Sequence, residues 1–274
     1  MRSAMLDDML YWSNSMGIDG FRMDVAHGVP NDFWDQVDST LGSHNKPLFM
    51  LAEAEIPYHR NSGTFDMSYA WGFHHLMNDI ANGEEDADEI DDFLEEDEEN
   101  YQDGYHMYFT SNHDENSWSG TIKERMGTTS EMMTALSYIL PGMPLIYSGQ
   151  EYDMDHRLKF FEKDSIPKTK GSYFKLLQKL GALKNSSSAL ISGNNGSAYT
   201  RLKTSDDESV LAFKRGSGNN SVVFIANLSD TKKNISINLR GNFRKYILDS
   251  KFSLKEKEIV ELAPWEYYIL ITKE

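Results

Sequence analysis

Three apolar segments of this chain end in carboxylic acids. Asp24 ends "GFRMD", Glu53 and Glu55 end "FMLAEAE", and Asp114 ends "YFTSNHD". Sites in parallel α/β folds gather at the carboxyl ends of strands, so acids from separate strand ends are expected to converge on one crevice. The alternative is that these acids cap helices or shape turns, where Asp and Asn are common. Three acids that each follow an apolar segment favour the site.

Converging carboxylates suit the hydrolysis of glycosidic bonds. One carboxylate must stay ionised to attack the anomeric carbon, and a second must hold a proton for the leaving oxygen. Arg22 precedes Asp24 by two residues, and side chains two apart share one face of a strand. A neighbouring guanidinium favours an ionised carboxylate, whereas the apolar residues before Glu53 favour a protonated acid. The pattern therefore predicts a charged nucleophile at Asp24 and a proton donor at the end of "FMLAEAE", at Glu53 or Glu55.

These acids can meet only if the fold brings the carboxyl ends of their strands together. Up to about residue 185 the chain alternates strand-like and helix-like segments, which is typical of a parallel sheet with right-handed crossovers. The predicted strands are 20–25, 47–54, 64–70, 106–114 and 143–151. The predicted helices are 2–16, 31–41, 73–81, 84–101, 128–139 and 172–184.

After about residue 190 the pattern changes to short β-branched and aromatic runs separated by Gly, Asn, Asp and Ser. Such runs predict antiparallel strands. They lie at 210–215, 221–228, 234–239, 243–248 and 266–272. The expected fold class is α/β with an appended antiparallel β-sandwich, and the domain boundary falls between residues 188 and 189.

The segment from Glu84 to Glu99 contains twelve acidic residues. A calcium loop is one interpretation, but "DADEID" lacks the glycine and the later glutamate of an EF-hand loop. Ile90, Phe93 and Leu94 keep helical spacing. A solvated helix face is therefore the favoured interpretation.

The composition narrows the choice of partner. The chain has 274 residues, with 43 acidic against 27 basic side chains and a net charge of −16. This charge argues against nucleic acid or an anionic membrane surface as the partner, whereas neutral ligands remain open. The absence of cysteine excludes disulfides and thiolate-metal sites. No run of about 18 apolar residues is present, so no membrane-spanning segment is predicted. The first residues also lack the continuous apolar core of a signal peptide.

Four segments together resemble a known family. "GFRMDVAH", "FMLAEAE", "FTSNHDE" and "GMPLIYSGQE" occur in the order of the later signature regions of the α-amylase family, glycoside hydrolase family 13. The resemblance extends over essentially the whole chain. It implies strands 4–8 of a (β/α)8 TIM barrel, followed by the family's β-sandwich domain.

The resemblance also implies roles for the acids. Asp24 matches the nucleophile, and Arg22 matches its partner. Glu53 matches the general acid/base because the family acid directly follows the apolar run of its strand, and Glu55 is the alternative. Asp114 matches the third acid, which holds sugar hydroxyls and favours ring distortion.

Further side chains are expected to contact substrate. His113 matches the histidine that hydrogen-bonds the sugar in the first subsite, and His27 is a weaker candidate for the cleft. A surface or core role is the alternative for the aromatic candidates and for His27. The substrate-binding residues expected are Arg22, Asn112, His113, Tyr69 and Trp71.

The sequence departs from the family pattern in two places. The first signature, Asp-x-x-x-Asn-His, is missing, so strands 1–3 of the barrel are expected to be absent and the chain to be truncated. Open sheet edges would then be covered by the missing half or by self-association. His27 and Gly28 stand where many α-amylases have a Lys-His pair, which weakens the case for calcium. No cofactor is expected, and calcium remains an alternative for a full-length parent.

The function expected is a retaining glycoside hydrolase acting on α-glucosidic bonds of starch-like glucans or malto-oligosaccharides. Two alternatives stay open: a transglycosylase or isomerase of the same family, and an inactive fragment that serves glucan binding or assembly. The sequence does not distinguish bacterial cytoplasm, periplasm and secretion as the location.

Overall fold

The computed structural model describes residues 1–43, 47–193, 195–255 and 258–272. The chain divides into two compact units. The first comprises Met1–Gly72 and Glu95–Met107, and the second comprises Phe73–Leu94 and Tyr108–Glu274.

Parallel strands and helices alternate through the first half of the chain, as predicted. The strands are β1 (Gly20–Met23), β2 (Phe49–Ala52), β3 (Met67–Tyr69), β4 (Tyr105–Tyr108) and β5 (Gly142–Pro144). The helices are α1 (Arg2–Asn14), α2 (Asn31–Gly42), α3 (Pro57–Asn61), α4 (Trp71–Asn82), α5 (Asp88–Asn100), α6 (Ile122–Met126), α7 (Ser130–Ile139) and α8 (Ser172–Ser186). The strands are shorter than the sequence suggested, and the short helices α3 and α6 were not predicted.

In the first unit, β1 to β4 pair in parallel in chain order. Helix α2 covers them with an apolar face that contains Phe33, Trp34, Val37 and Leu41. Trp34 also donates its indole N–H to the carbonyl of Ala26, at 3.1 Å. This bond anchors the turn that follows β1 to the core of the unit.

Helix α1 forms as predicted, but its apolar residues are not all buried. Only Met9 is fully buried, while Met5 and Trp12 stay about half exposed. The apolar residues of α1 are spread around the helix, so its core contact is a narrow stripe rather than a broad face.

The second unit contains β5, α7, α8 and the antiparallel strands. Leu145 donates its N–H to the carbonyl of Tyr108, at 2.8 Å, directly after β5. The antiparallel strands are β6 (Tyr199–Arg201), β7 (Val210–Ser217), β8 (Asn220–Asn227), β9 (Lys233–Ser236), β10 (Gly241–Lys245), β11 (Ser250–Leu254), β12 (Ile259–Leu262) and β13 (Tyr267–Thr272).

These strands form a six-stranded sheet in the order β11-β10-β13-β8-β7-β6 and a two-stranded sheet of β12 and β9. Their shared core contains Val223, Ile225, Ile235, Val260 and Leu270. The structure confirms that antiparallel strands follow the α/β part of the chain. The domain boundary between residues 188 and 189 stays a prediction. Strands β6, β11 and β12 were not predicted, because each has only three to five residues, too few to show a clear alternating pattern.

The acidic run forms helix α5, as favoured over a calcium loop. Ile90 is buried and Phe93 contacts the ring of Phe73, with ring centroids 5.2 Å apart. No described helix has both the length and the apolar character that a bilayer crossing needs.

Candidate active site

One arginine links the two acids of the first unit. Nη1 of Arg22 donates to Oδ1 of Asp24, and Nη2 pairs with Oε1 of Glu53 at 2.9 Å. The carboxylate of Asp24 is 75% exposed, whereas that of Glu53 is 11% exposed. A single guanidinium therefore holds one open and one nearly buried carboxylate as close neighbours.

The turn after β1 positions both carboxylates. The strand ends at Met23, so Asp24 reaches Arg22 from the turn and not from the strand itself. Val25 adopts a left-handed backbone with φ of +46°, and its N–H donates to Oε2 of Glu53 at 2.7 Å. Backbone bonds add to this: Ala26 N–H donates to the Glu53 carbonyl at 3.2 Å. The end of β1 is thus joined to the end of β2 at the two acids.

Tyr69 holds the arginine from the other side. Its hydroxyl accepts from Nε of Arg22 at 3.2 Å, and its ring centroid lies 5.4 Å from the guanidinium carbon. Burial alone would lower the pKa of Arg22, but the hydrogen bonds to Tyr69 and Asp24 outweigh burial and raise it. Trp71 packs on Tyr69, with ring centroids 5.7 Å apart. Both predicted aromatic residues therefore belong to the Arg22 cluster.

Glu55 has a different environment. Its Oε2 accepts the N–H of Gly72 at 2.8 Å, in the first turn of α4. A carboxylate at this place satisfies a free helix N–H and complements the helix dipole. Glu55 therefore caps helix α4, and Glu53 is the glutamate that contacts Arg22.

In the second unit, Asn112 shapes the turn that carries His113 and Asp114. Its buried Oδ1 accepts the N–H of Asp114 at 3.0 Å and that of Glu115 at 2.8 Å. His113 is half exposed, and its Nε2 lies 3.4 Å from Oδ2 of Asp114. Asn112 thus orients the turn, while His113 and Asp114 remain open to solvent.

Two residues that interact with this turn, His74 and Tyr147, were not predicted from the sequence. Glu115 accepts from Nε2 of the buried His74 at 3.0 Å, and this bond lowers the pKa of Glu115. Burial, and then the negative charge of Asp114, raise the pKa of Tyr147. Both interactions join segments about 30 to 40 residues apart, a separation at which no local pattern signals a contact.

Exposed aromatic residues near His113 were also missed. Phe160 stacks on His113 with ring centroids 6.2 Å apart, and it also contacts Trp118 at 5.0 Å. Aromatic letters inside the polar stretches "ENSWSG" and "RLKFFEKD" are the signal that could have found them.

A buried series of Ser68, His106 and Asp97 resembles a nucleophile triad in residue type. His106 Nδ1 lies 3.3 Å from Ser68 Oγ, and Nε2 lies 2.6 Å from Asp97 Oδ1. Ser68 is completely buried on β3, so it cannot reach a substrate. The series is a structural network.

A metal ion needs a group of ligand side chains in one place. Within the described ranges, no three His, Asp or Glu side chains are grouped as a metal ion would need. The expectation that no cofactor is required, with calcium as the alternative, stays a prediction. His27 is exposed on the turn after β1.

The predicted residues thus form two groups, each described within its own unit. Arg22, Asp24, Glu53, Tyr69 and Trp71 are together in the first unit. The second unit holds Asn112, His113 and Asp114 on one turn. The first group has the chemistry for nucleophilic attack and proton transfer by two neighbouring carboxylates.

Comparison with known proteins gives the family. In sequence, the chain is 24% identical over 242 residues to alpha-amylase MalA of Haloarcula japonica, covering 86% of this chain and 35% of MalA. In structure, it matches the noncanonic maltogenic alpha-amylase AmyB of Thermotoga neapolitana with a TM-score of 0.84 and 23% identity, covering 98% of this chain and 64% of AmyB. It also matches the alpha-amylase of Geobacillus thermoleovorans, solved with acarbose, with a TM-score of 0.76 and 17% identity, covering 98% of this chain and 63% of that one.

The chain therefore spans about a third of the length of MalA and a little under two thirds of the two solved chains. The structural matches show the fold, an α/β part followed by antiparallel sheets. A family model described as the alpha-amylase catalytic domain matches residues 1–210, which is most of the chain. The resemblance seen in the four sequence segments is confirmed, and this chain belongs to the alpha-amylase family.

Proposed function

We propose that this chain carries the catalytic residues of a retaining glycoside hydrolase acting on α-glucosidic bonds of malto-oligosaccharides and starch-like glucans. The observation that carries the proposal is the contact of one guanidinium, Arg22, with both Asp24 and Glu53. Retaining enzymes need their two carboxyl groups about 5–5.5 Å apart, closer than inverting enzymes do. A shared guanidinium favours such a short separation.

The five parallel strands are proposed to correspond to strands 4–8 of a (β/α)8 barrel, and residues 189–274 to the β-sandwich domain. In this assignment Asp24 lies directly after the fourth barrel strand and Glu53 directly after the fifth. Catalytic residues of such barrels lie at the carboxyl ends of the strands. The positions of both acids relative to β1 and β2 support the assignment.

The exposed carboxylate of Asp24 is proposed to attack the anomeric carbon while Glu53 gives its proton to the leaving glycosidic oxygen. The bond from the anomeric carbon to that oxygen breaks as the bond to Asp24 forms. Glu53 then takes a proton from water, whose oxygen displaces Asp24 and regenerates both side chains.

Glu53 must hold a proton for the first step, yet here it pairs with Arg22 and accepts the N–H of Val25. These two contacts occupy Oε1 and Oε2, the two oxygens that could carry the proton. We propose that a bound sugar displaces Glu53 from Arg22, so that Glu53 can protonate while Arg22 stays on Asp24. Asp114 and His113 are proposed to hold sugar hydroxyls, for which their exposure and polar atoms are suited.

The substrate class rests on the relatives and on charge. The named relatives are amylases, and one was solved with the oligosaccharide analogue acarbose. A net charge of −16 disfavours anionic glycans and leaves neutral ones. Neutral α-glucans meet both conditions.

Three variants test the roles. Asp24→Asn is expected to abolish hydrolysis of maltoheptaose and of an aryl maltoside, because the nucleophile is lost. Glu53→Gln is expected to lower kcat/KM on maltoheptaose by about 10²–10⁴-fold and far less on the aryl maltoside, whose leaving group needs no proton. Glu55→Gln is the matched control and should retain most activity on both substrates.

The measurements are release of reducing ends and of the aryl alcohol, with NMR detection of the first anomer formed. An α-anomer supports retention, whereas a β-anomer contradicts it. If Glu55→Gln shows the dependence on leaving group and Glu53→Gln does not, the acid has been assigned two residues too early. Sugar-transfer products in place of hydrolysis would favour the transglycosylase or isomerase alternative.

A further inference from the structure

Three aromatic side chains of the second unit form an exposed cluster, here called the aromatic platform: Trp118, Phe160 and Phe161. Their exposed fractions are 59%, 41% and 84%. The three rings contact one another, with centroids 4.8 to 6.0 Å apart. Clustered large apolar side chains that remain this open usually mark a binding surface.

The loop that carries Trp118 is fixed by buried polar bonds. Asn116, which is almost fully buried, accepts the N–H of Leu158 at 2.8 Å and donates to the carbonyl of His156 at 3.3 Å. Ser117 donates its hydroxyl to the Leu158 carbonyl at 2.7 Å. These bonds hold the Trp118 loop against the segment that leads into Phe160.

The loop that carries both phenylalanines is closed on itself. Asp164 accepts the N–H of Lys159 at 3.0 Å and that of Ser165 at 2.8 Å, and these two bonds lower its pKa. Lys159 also pairs with Glu162 at 2.9 Å. The rings are therefore presented by a preformed turn, and binding to them costs little ordering entropy.

The platform continues the turn that carries the proposed sugar-binding histidine. The ring of His113 lies 6.2 Å from that of Phe160, with an angle of 21° between the planes. Charged side chains of opposite sign are paired near the platform: Arg157 lies 2.8 Å from Glu124, and Lys159 lies 2.9 Å from Glu162. His156 lies 3.3 Å from Asp164. The surface thus offers flat apolar faces without a local excess of one charge.

We propose that the aromatic platform binds a glucosyl ring of an α-glucan chain, next to the sugar held by His113. This inference rests on the proposed function for the choice of ligand. A pyranose ring carries C–H groups on one face and hydroxyls at its edge, so this face can stack on an aromatic ring while the hydroxyls stay hydrated. A preformed aromatic surface of neutral surroundings suits such a ligand, and an anionic polymer is disfavoured by the charge of the chain.

The test is calorimetric titration of the Asp24→Asn chain with maltoheptaose, because the unchanged chain is proposed to hydrolyse this sugar. Trp118→Ala and Phe161→Ala are each expected to weaken binding by about threefold to tenfold, the range that aromatic stacking supplies. Trp12→Ala is the matched control, because Trp12 is an exposed tryptophan of α1 with 48% exposure. It should leave the affinity unchanged. Thermal unfolding of each variant checks that the fold is intact. We expect unchanged unfolding temperatures, because the truncated rings are exposed.

Asp24→Asn separates the platform from the proposed function. This variant removes turnover, so its titration measures binding alone, and hydrolysis is assayed on the unchanged chain. If binding depends on Trp118 but the unchanged chain shows no hydrolysis, the result supports the platform and contradicts the proposed function. If the unchanged chain hydrolyses maltoheptaose but neither Trp118→Ala nor Phe161→Ala changes the affinity, the platform alone is overturned. No binding at millimolar maltoheptaose, or an effect of Trp118→Ala only on the oligomeric state seen by light scattering, would also overturn it.

Discussion

Val25 shows how one strained residue can serve the two acids. Its φ of +46° places a β-branched side chain in the left-handed region, where crowding costs about 1–3 kcal/mol. The side chain is half exposed, so its burial offsets little of this cost. What the conformation provides is the direction of the Val25 N–H, which points at Glu53. The strain therefore belongs to the positioning of the acid.

Val25→Gly is expected to raise the free energy of unfolding by up to about 1 kcal/mol, because relief of strain exceeds the entropy lost to glycine. It should also lower kcat, since a glycine holds the turn less firmly. Val25→Ala is the control, as it keeps a Cβ in the strained region and should change stability little. Urea unfolding and steady-state kinetics measure both effects. A Val25→Gly variant that is less stable than the parent would show that the valine side chain contributes packing instead.

At the scale of elements, the site depends on the close approach of β1 and β2. Gly20 pairs with Phe49 at the start of the two strands. A Cβ built on Gly20 would lie 2.0 Å from the carbonyl oxygen of Phe49, a backbone atom that cannot turn aside. The absence of a side chain thus lets the strands run side by side and brings Asp24 and Glu53 to neighbouring ends.

Gly20→Ala is therefore expected to destabilise the first unit by about 1–3 kcal/mol, the usual cost of overpacking. Activity should fall with it, because the strand ends separate. Gly42→Ala is the matched control: no atom lies within 4 Å of its Cβ, and at the end of α2 it should be neutral or stabilising. Chemical denaturation of both variants provides the measurement. Equal stability of Gly20→Ala and the parent would mean that the strands can move apart without cost.

At the scale of the whole molecule, the second unit contains two cations that are largely removed from water. Arg215 is fully buried and donates to the carbonyls of Ser197, Ile139 and Ile191 at 2.8 to 2.9 Å. Lys184 of α8 donates to the carbonyl of Gly142 at 2.6 Å. Burial, and then the charge of Arg215, lower the pKa of Lys184 to about 7. Arg215 thus ties the end of α7 to the antiparallel sheet and Lys184 ties α8 to β5, both through backbone carbonyls and at an electrostatic cost.

This cost makes stability depend on pH. Between about pH 7 and pH 10.5 the unfolded chain keeps a proton on Lys184 that the folded chain has lost, so this group's contribution to stability rises with pH. Lys184→Met is expected to remove that rise, which amounts to at most about 1.4 kcal/mol per pH unit.

Urea unfolding at several pH values from 7 to 10 measures the slope for the parent and the variant. Lys179→Met is the matched control, because Lys179 is an exposed lysine of the same helix. It should leave the slope unchanged. Identical slopes for Lys184→Met and the parent would show that Lys184 keeps its proton in the folded chain.

The order of strands and helices could be predicted because each apolar run and each helical spacing is local. The residues at which the strands end could not be predicted in this way. The segment "GFRMD" continues in extended fashion by pattern, but β1 stops at Met23 because Val25 turns its N–H toward Glu53, 28 residues away. Likewise "MPLIYSGQE" forms only the short β5 before it turns. At β1 the end is set by a distant hydrogen-bond partner, which the local pattern does not encode.

The sequence by itself determined the family, and it predicts that Asp24, Glu53 and Asp114, which follow apolar runs, carry the chemistry. Only the tertiary structure decided that Arg22 contacts Glu53 as well as Asp24, and that Glu55 caps α4. It also placed Phe160 beside His113. The reason is physical: residue type and periodicity are encoded in neighbouring letters, whereas a salt bridge, a cap or a ring contact depends on which remote segments pack together.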